Sequence, residues 1–358
     1  MLTVGQEYSP PVEIDVDGPI HLGTFSVNGE YLAGWREDGT NVKVWRVGDG
    51  KQVAAMEARG VRCLAVSDDG GWTAAGTYHG EILVWNASTR KLFAHKDFGS
   101  IHGVDFSPDS CRLVSCSWSG TAIVWDNATG KQVQTVRHEG LVIAAKYSPQ
   151  GDRIATATLR GSVRVWDSND GRLLVDIPVR VSPQYNAGLL WFHNYLFVLS
   201  YDRIEKFDAS TGSVLSGWPV PDSNGNCCIA LPKHGEFIAY STRSTVTFWD
   251  TSTHTQLGLV QLPKIIPSIA LSPDDQLLAI GGQARKITIQ SLAHVTVSIV
   301  FLWIMAYLNM FLAPLVTSNR TQSHPLVYIT LSGNLTSRST LRCSTRGNTI
   351  NSQTRRRY

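Results

Sequence analysis

An indole, or a residue standing in for one, returns about every forty positions along most of this 358-residue chain. A period of that length limits the architecture more than any single residue can. The anchors are Trp45, Trp85, Trp125, Trp166, Phe207, Trp249 and Ile289, with spacings of 40, 40, 41, 41, 42 and 40. Units of this size hold four short strands each, so the chain reads as all-β, with seven small sheets repeated about an axis.

The text around the anchors repeats as well. Ser26-Val27-Asn28-Gly29, Ser67-Asp68-Asp69-Gly70, Ser107-Pro108-Asp109 and Ser148-Pro149-Gln150-Gly151 stand at nearly constant distance ahead of an anchor. All are turn-formers, in which Pro presets φ and Gly or Asn tolerates positive φ. Each predicts a hairpin. Just before the anchors, Asn41-Val42-Lys43-Val44, Glu81-Ile82-Leu83-Val84 and Ser162-Val163-Arg164-Val165 alternate polar with apolar, the period of a half-buried strand. Behind them, Asp126-Asn127-Ala128-Thr129-Gly130 and Asp167-Ser168-Asn169-Asp170-Gly171 predict polar turns to an outer strand.

With Trp-Asp pairs at 125, 166 and 249 and Ser-Pro-Asp turns at 107 and 272, the stretch from about Pro10 to Leu292 resembles the WD-repeat β-propeller family. The pattern is degenerate in places: Phe207 and Ile289 replace Trp, while Trp45 and Trp85 are followed by Arg46 and Asn86. The resemblance implies a seven-bladed propeller over residues 1–292 and a buried set linking a His, a Ser or Thr and a turn Asp to the Trp. Only His138 holds the His position, and His79, Ser119, Arg160, Tyr201 and Arg243 replace the Asp. That polar set is therefore expected to be mostly missing, leaving apolar burial of the anchors to hold the blades.

Two segments compete for the outer strand of the seventh blade. Pro10 to Asp15, with Val12 and Ile14 alternating against Glu13 and Asp15, stands one period ahead of Lys51 to Met56. Val295, Val297 and Ile299, alternating with Thr296 and Ser298, stand at the same offset beyond Ile289. The resemblance favours the N-terminal strand, and Pro is tolerated on an outer edge.

Beyond the propeller, residues 293–318 form an apolar segment; its Ala293 to Val316 stretch is uncharged and long enough to cross a bilayer as a helix. Against a membrane span stand its opening strand period, the interruptions Asn309 and Pro314, and seven Arg beyond residue 318 that spanning would put on the wrong side. The other readings are an apolar strap packed on the propeller and a tail that is not the natural continuation of the coding sequence. Residues 319–358, rich in Ser, Thr and Arg, predict a disordered basic tail. The net charge of +3 comes from that tail: without its seven Arg, 25 basic residues face 29 acidic ones, about −4. A propeller of that balance has no overall electrostatic claim on nucleic acid.

The opening Met1-Leu2-Thr3-Val4-Gly5-Gln6-Glu7 is not a secretory signal, and a cytoplasmic or nuclear setting is expected. The six Cys lack paired CxxC spacing, so no metal is expected. Thr129-Gly130-Lys131 and Gly50-Lys51 lack the leading Gly of a phosphate loop, Gly99-Ser100-Ile101-His102-Gly103 is not a nucleophile elbow, and no HExxH occurs. No cofactor is expected and no catalytic residue is assigned. A propeller enzyme with a site at the channel mouth is the weakest functional class.

Function is better sought on the rim, since loops on a rigid scaffold carry binding. Between the second and third strands lie Trp35, Tyr78, Trp118, Leu159, Tyr201 and Arg243. At the opening of the innermost strand lie His21, Arg62 and His102, with Asn226. The resemblance implies that both series surround the central channel on one face. Aromatics and Arg dominate interface energetics, so a non-enzymatic scaffold or adaptor for protein or peptide partners is expected, as a monomer. About half of the aromatics should instead fold back over the blades, since Trp and Tyr are mostly buried. A membrane-tethered adaptor anchored by residues 293–316 is the alternative.

Overall fold

A computed structural model describes residues 12–292, apart from 27–28, 37–40, 87–91, 97–98, 160, 182–187, 201–202, 221–227, 233–234, 243, 262–265, 267 and 282–284, together with 328–332, 340–345 and 348–352. The chain divides into two units, Met1–Ile299 and Val300–Tyr358. In the second, strands Tyr328–Ser332, Thr340–Thr345 and Asn348–Ser352 form an antiparallel sheet. The apolar segment 293–318 lies outside the described residues.

The first unit consists of seven four-stranded antiparallel sheets. Six are meanders taken in chain order, at 21–57, 61–96, 101–137, 142–177, 189–219 and 228–261. The seventh is composite: Ser268–Leu271, Leu277–Gly281 and Lys286–Ser291 are completed by Val12–Asp15, from the other end of the unit. First strands of neighbouring blades pack together at six of the seven junctions, that of blade one lying against that of blade seven, and blades five and six meet through the shared cluster of Phe197, Trp218, Ile229 and Tyr240. The circle is closed, as a seven-bladed β-propeller.

The N-terminal strand wins the contest for the outer place. Val12 lies opposite Ile289 and Ile14 opposite Ile287, Lys286 pairs with Glu13, and the Val16 N–H donates to the Arg285 carbonyl at 2.9 Å. Ile14 is buried while its neighbours Glu13 and Asp15 are exposed, as its alternation requires. A second tie crosses the seam, where the Leu22 N–H donates to Ser268 Oγ at 2.6 Å.

Burial explains how a degenerate repeat keeps its blades. Phe207 and Ile289 are as deeply buried as Trp45, so each substitute anchor fills the place of an indole. Full burial of such a side chain removes roughly 150–250 Å² from water, worth several kcal/mol at about 25 cal/mol per Å². The first hairpin of several blades is fixed by its Ser. Ser67 Oγ donates to Asp69 at 2.6 Å and accepts the Trp72 N–H at 2.9 Å; Ser107 treats Asp109 and Arg112 in the same way.

The polar set expected to be mostly missing is present in blade four in three of its members. Thr156 Oγ1 accepts the Trp166 indole N–H at 2.8 Å and bonds His138 Nε2 at 3.0 Å. In blade three Ser115 accepts from Trp125 at 2.8 Å. Measured from the partner of the anchor, the same place holds Gly34, Ala75 and Val198 in blades one, two and five, where no hydroxyl can serve.

Candidate functional site

The rim on which both sequence series fall is built by one device used repeatedly. A hydroxyl residue ends the second strand and accepts a backbone N–H across the turn, from Glu81 to Thr77 at 3.0 Å and from Ser162 to Thr158 at 2.9 Å. The following residue then bonds back to the chain entering the first strand. Tyr78 donates to the Gly60 carbonyl at 2.8 Å, Trp118 to Ser100 at 3.0 Å and Leu159 to Leu141 at 2.8 Å. Position 78, 118 or 159 is thereby held at the lip of its blade.

Facing it, the first strand carries a β-bulge. In blades two, three and four the register shifts between Val61 and Cys63, between Ile101 and Gly103, and between Val142 and Ala144. Arg62, His102 and Ile143 are the extra residues. A bulge re-aims a side chain that would otherwise follow the pleat, and here it brings two first-strand residues to the rim aromatics. The Arg62 guanidinium lies 6.0 Å from the Tyr78 ring centroid, at the limit of a cation–π contact. His102 stacks on Trp118 with centroids 4.4 Å apart and planes 6° from parallel.

Tyr78 is 49% exposed and Trp118 45%, so two adjacent blades each present a large aromatic face to solvent. Neither is loose. Gly60, at φ +66°, lets the Tyr78 ring lie so close that an added Cβ would stand 2.3 Å from it. Trp118 rests on a buried imidazole. Burial, followed by the nearby Arg62 charge, pulls the His102 pKa from 6.5 to about 4, so the stacked ring is neutral at neutral pH.

The other expected rim residues fall differently. Trp35 is only 5% exposed, stacked on His21 at 5.7 Å and packed with Val61 and Leu64. Its strand position explains this. Leu32 lies opposite Trp45 as Leu113 lies opposite Trp125, so Trp35 matches Cys116, inside the strand, and not Trp118 beyond it. Leu159 has the lip position but packs on the apolar cluster of blades four and five and bridges to Val181. Tyr201, Arg243 and Asn226 lie outside the described residues. The structure therefore brings Arg62, Tyr78, His102 and Trp118 onto one stretch of rim, and it separates Trp35 and its partner His21 from that group.

Among the described residues no group of three His, Cys, Asp or Glu is placed to hold a metal ion, and no helix is long and apolar enough to cross a membrane. Residues 50–86, 87–126 and 130–167 match the family model described as WD domain, G-beta repeat. Each match ends one residue past an anchor Trp, so it takes the outer strand of one blade with the inner three of the next. These segments are WD repeats, and the sheets around them complete a seven-bladed propeller of that kind.

Proposed function

We propose that this WD-repeat propeller is a non-enzymatic scaffold or adaptor that holds a protein or peptide partner on the rim of blades two and three. WD-repeat propellers generally serve as protein-interaction scaffolds. The observation that carries the finer reading is the pair Tyr78 and Trp118, half exposed on neighbouring blades and each braced from below by a bulged residue. Aromatic rings fixed before binding lose little rotamer freedom on contact, which is why such residues concentrate binding energy. Arg62 beside them adds hydrogen-bonding groups at the edge of the apolar surface, the arrangement of a hot spot with a polar rim, while His102 lies beneath as support. The reading extends to a cytoplasmic or nuclear setting.

A photo-crosslinking amino acid at position 118 tests the site in the full chain, with one at Val133 on the outer strand of blade three as comparison. Protein adducts at 118 in excess of those at 133 are expected; equal yields from the two positions would remove this part of the rim as the contact.

A further inference from the structure

Six of the seven outer strands carry a feature that deters further pairing at a sheet edge. Glu57, Lys96, Arg137 and Asp176 lie in those of blades one to four, Pro219 in blade five, and Glu13 with Asp15 in blade seven. Charge or proline on an edge hinders addition of another strand. Blade six has neither. Its outer strand, Gln256–Gln261, reads Gln-Leu-Gly-Leu-Val-Gln, with Leu259 54% exposed and open space around Gly258.

A second relationship concerns where the chain goes after blade seven. The turn between third and fourth strands regularly lies against the outer strand of the preceding blade: Gly50 against Ile14, Gly171 against Gln134, Gly212 against Val175, and His254 stacked on Trp218 at 4.7 Å. Blade seven enters that path in the usual way. The Leu292 N–H donates to the Gln276 carbonyl at 2.7 Å, as Ala209 does to Asn194 and Thr251 to Glu236. Its fourth place, however, is occupied by Val12–Asp15, so blade seven has no strand position left beyond Lys286–Ser291. Leu292 is fully buried in a cluster that includes Val260 and Leu257 of the unguarded strand.

The residues that follow in the sequence are uncharged, with Val295, Val297 and Ile299 alternating against Thr296 and Ser298. At about 3.3 Å per residue, Val295 can reach roughly 10 Å beyond Leu292, more than the ~4.8 Å between neighbouring strands. Attachment also gives such a segment an effective concentration that a separate chain would have to match, on the order of millimolar.

We propose that the outer edge of blade six, Gln256–Gln261, is a strand-accepting surface whose occupant is the stretch 294–299 of this same chain. Main-chain hydrogen bonds supply the attachment, and Leu259 with the alternating Val and Ile supplies the apolar contact.

The test uses the full chain with Leu259→Cys combined in turn with Val295→Cys, Val297→Cys or Ile299→Cys, under mild oxidation at low protein concentration. A disulfide needs Cα atoms about 4.4–6.8 Å apart, so it reports adjacency. Leu259→Cys alone controls for reaction with the exposed native Cys111, and Val133→Cys on blade three with the same partners controls for chance encounter. At least one Leu259 pair is expected to close within a single chain about tenfold faster than the Val133 controls. No preference over those controls, a bond between two copies, or a chain recovered with 293–316 in the membrane fraction would each overturn the proposal. As a measurement free of added cysteines, Val297→Asp in the full chain should raise amide exchange across 256–261 about tenfold; unchanged exchange would also overturn it.

Discussion

The His102 imidazole and the Trp118 indole lie face to face, 4.4 Å between centroids and within 6° of parallel, although one begins a strand and the other follows the next. The contact joins a bulge in the inner strand to a turn at the lip, so an exposed aromatic gains a rigid floor. Arg62 and Tyr78 repeat the relationship one blade earlier with a cation in place of a ring. Blade four has the same bulge and lip in Ile143 and Leu159, which share one apolar cluster, so it is the exposed aromatic at the lip that distinguishes blades two and three within the described rim.

Trp35 and Trp118 should therefore respond differently to truncation. Trp35→Ala empties a buried site and is expected to cost about 3–5 kcal/mol. Trp118→Ala removes a ring already half in water and should cost roughly 1 kcal/mol, the scale of its stacking on His102. Denaturant unfolding of the two variants decides it; equal losses would contradict the assignment of Trp35 to the strand and Trp118 to the lip.

The difference between those two tryptophans also shows how far the sequence could be read. The period gave seven anchors, and their burial, including that of Phe207 and Ile289, follows from apolar character at a fixed strand position. Position within a turn was harder, because five residues separate the second and third strands in blade one and three do so in blade three. Tyr78, Trp118 and Leu159 stand seven residues before their anchors, whereas Trp35 stands ten before Trp45, inside the second strand and two residues short of the place that matches Trp118. The stacking partners were named in two separate series. Their constant offset of sixteen, in 62 with 78 and 102 with 118, was a signal that the pairs meet. A bulge leaves no such mark in composition, so the aim of Arg62 and His102 needed coordinates.

Thr156 offers a test of the polar set in blade four. Thr156→Val keeps the shape but strips the acceptor of the Trp166 N–H and the partner of His138, an expected loss of about 1–3 kcal/mol. Ser115→Ala, which ends the bond from Trp125, should cost about 1 kcal/mol. Chemical denaturation should rank Thr156→Val as the more damaging, and the reverse order would sink the claim that His138 belongs to a working set.

Acid should act in two windows. Burial, then Arg62 for His102 and Arg164 for His138, holds both imidazole pKa values at about 4 instead of 6.5. The unfolded chain takes up these protons below pH 6.5 and the folded chain only near pH 4, so the stability they contribute is complete above 6.5 and declines between those values. Asp109 behaves as a lowered carboxylate, held below 3.8 by the Ser107 hydroxyl and then the Cys111 N–H; its contribution is present above that value and goes only at lower pH. Melting curves from pH 7 to 4 should fall more gently for His102→Gln than for the unsubstituted chain; parallel curves would contradict the buried neutral imidazole.

Closure of the ring rests on Ile14 and its strand. Ile14→Asp places a carboxylate in a buried apolar cluster with Val47 and Ile289, with an expected cost of at least about 3 kcal/mol. Removing residues 1–18 should likewise lower the melting temperature by several degrees, since it exposes the third strand of blade seven. An unchanged transition after that truncation would mean that Val12–Asp15 does not close the circle.

The most direct test of the scaffold reading is quantitative affinity capture with the full chain carrying Tyr78→Ala and Trp118→Ala together, compared with the unsubstituted chain and with Val133→Ala on the outer strand of blade three. The expected result is loss of a shared set of protein partners by tenfold or more in the double variant alone, with its melting temperature within a few degrees of the original. An unchanged partner set in a folded double variant would contradict the account.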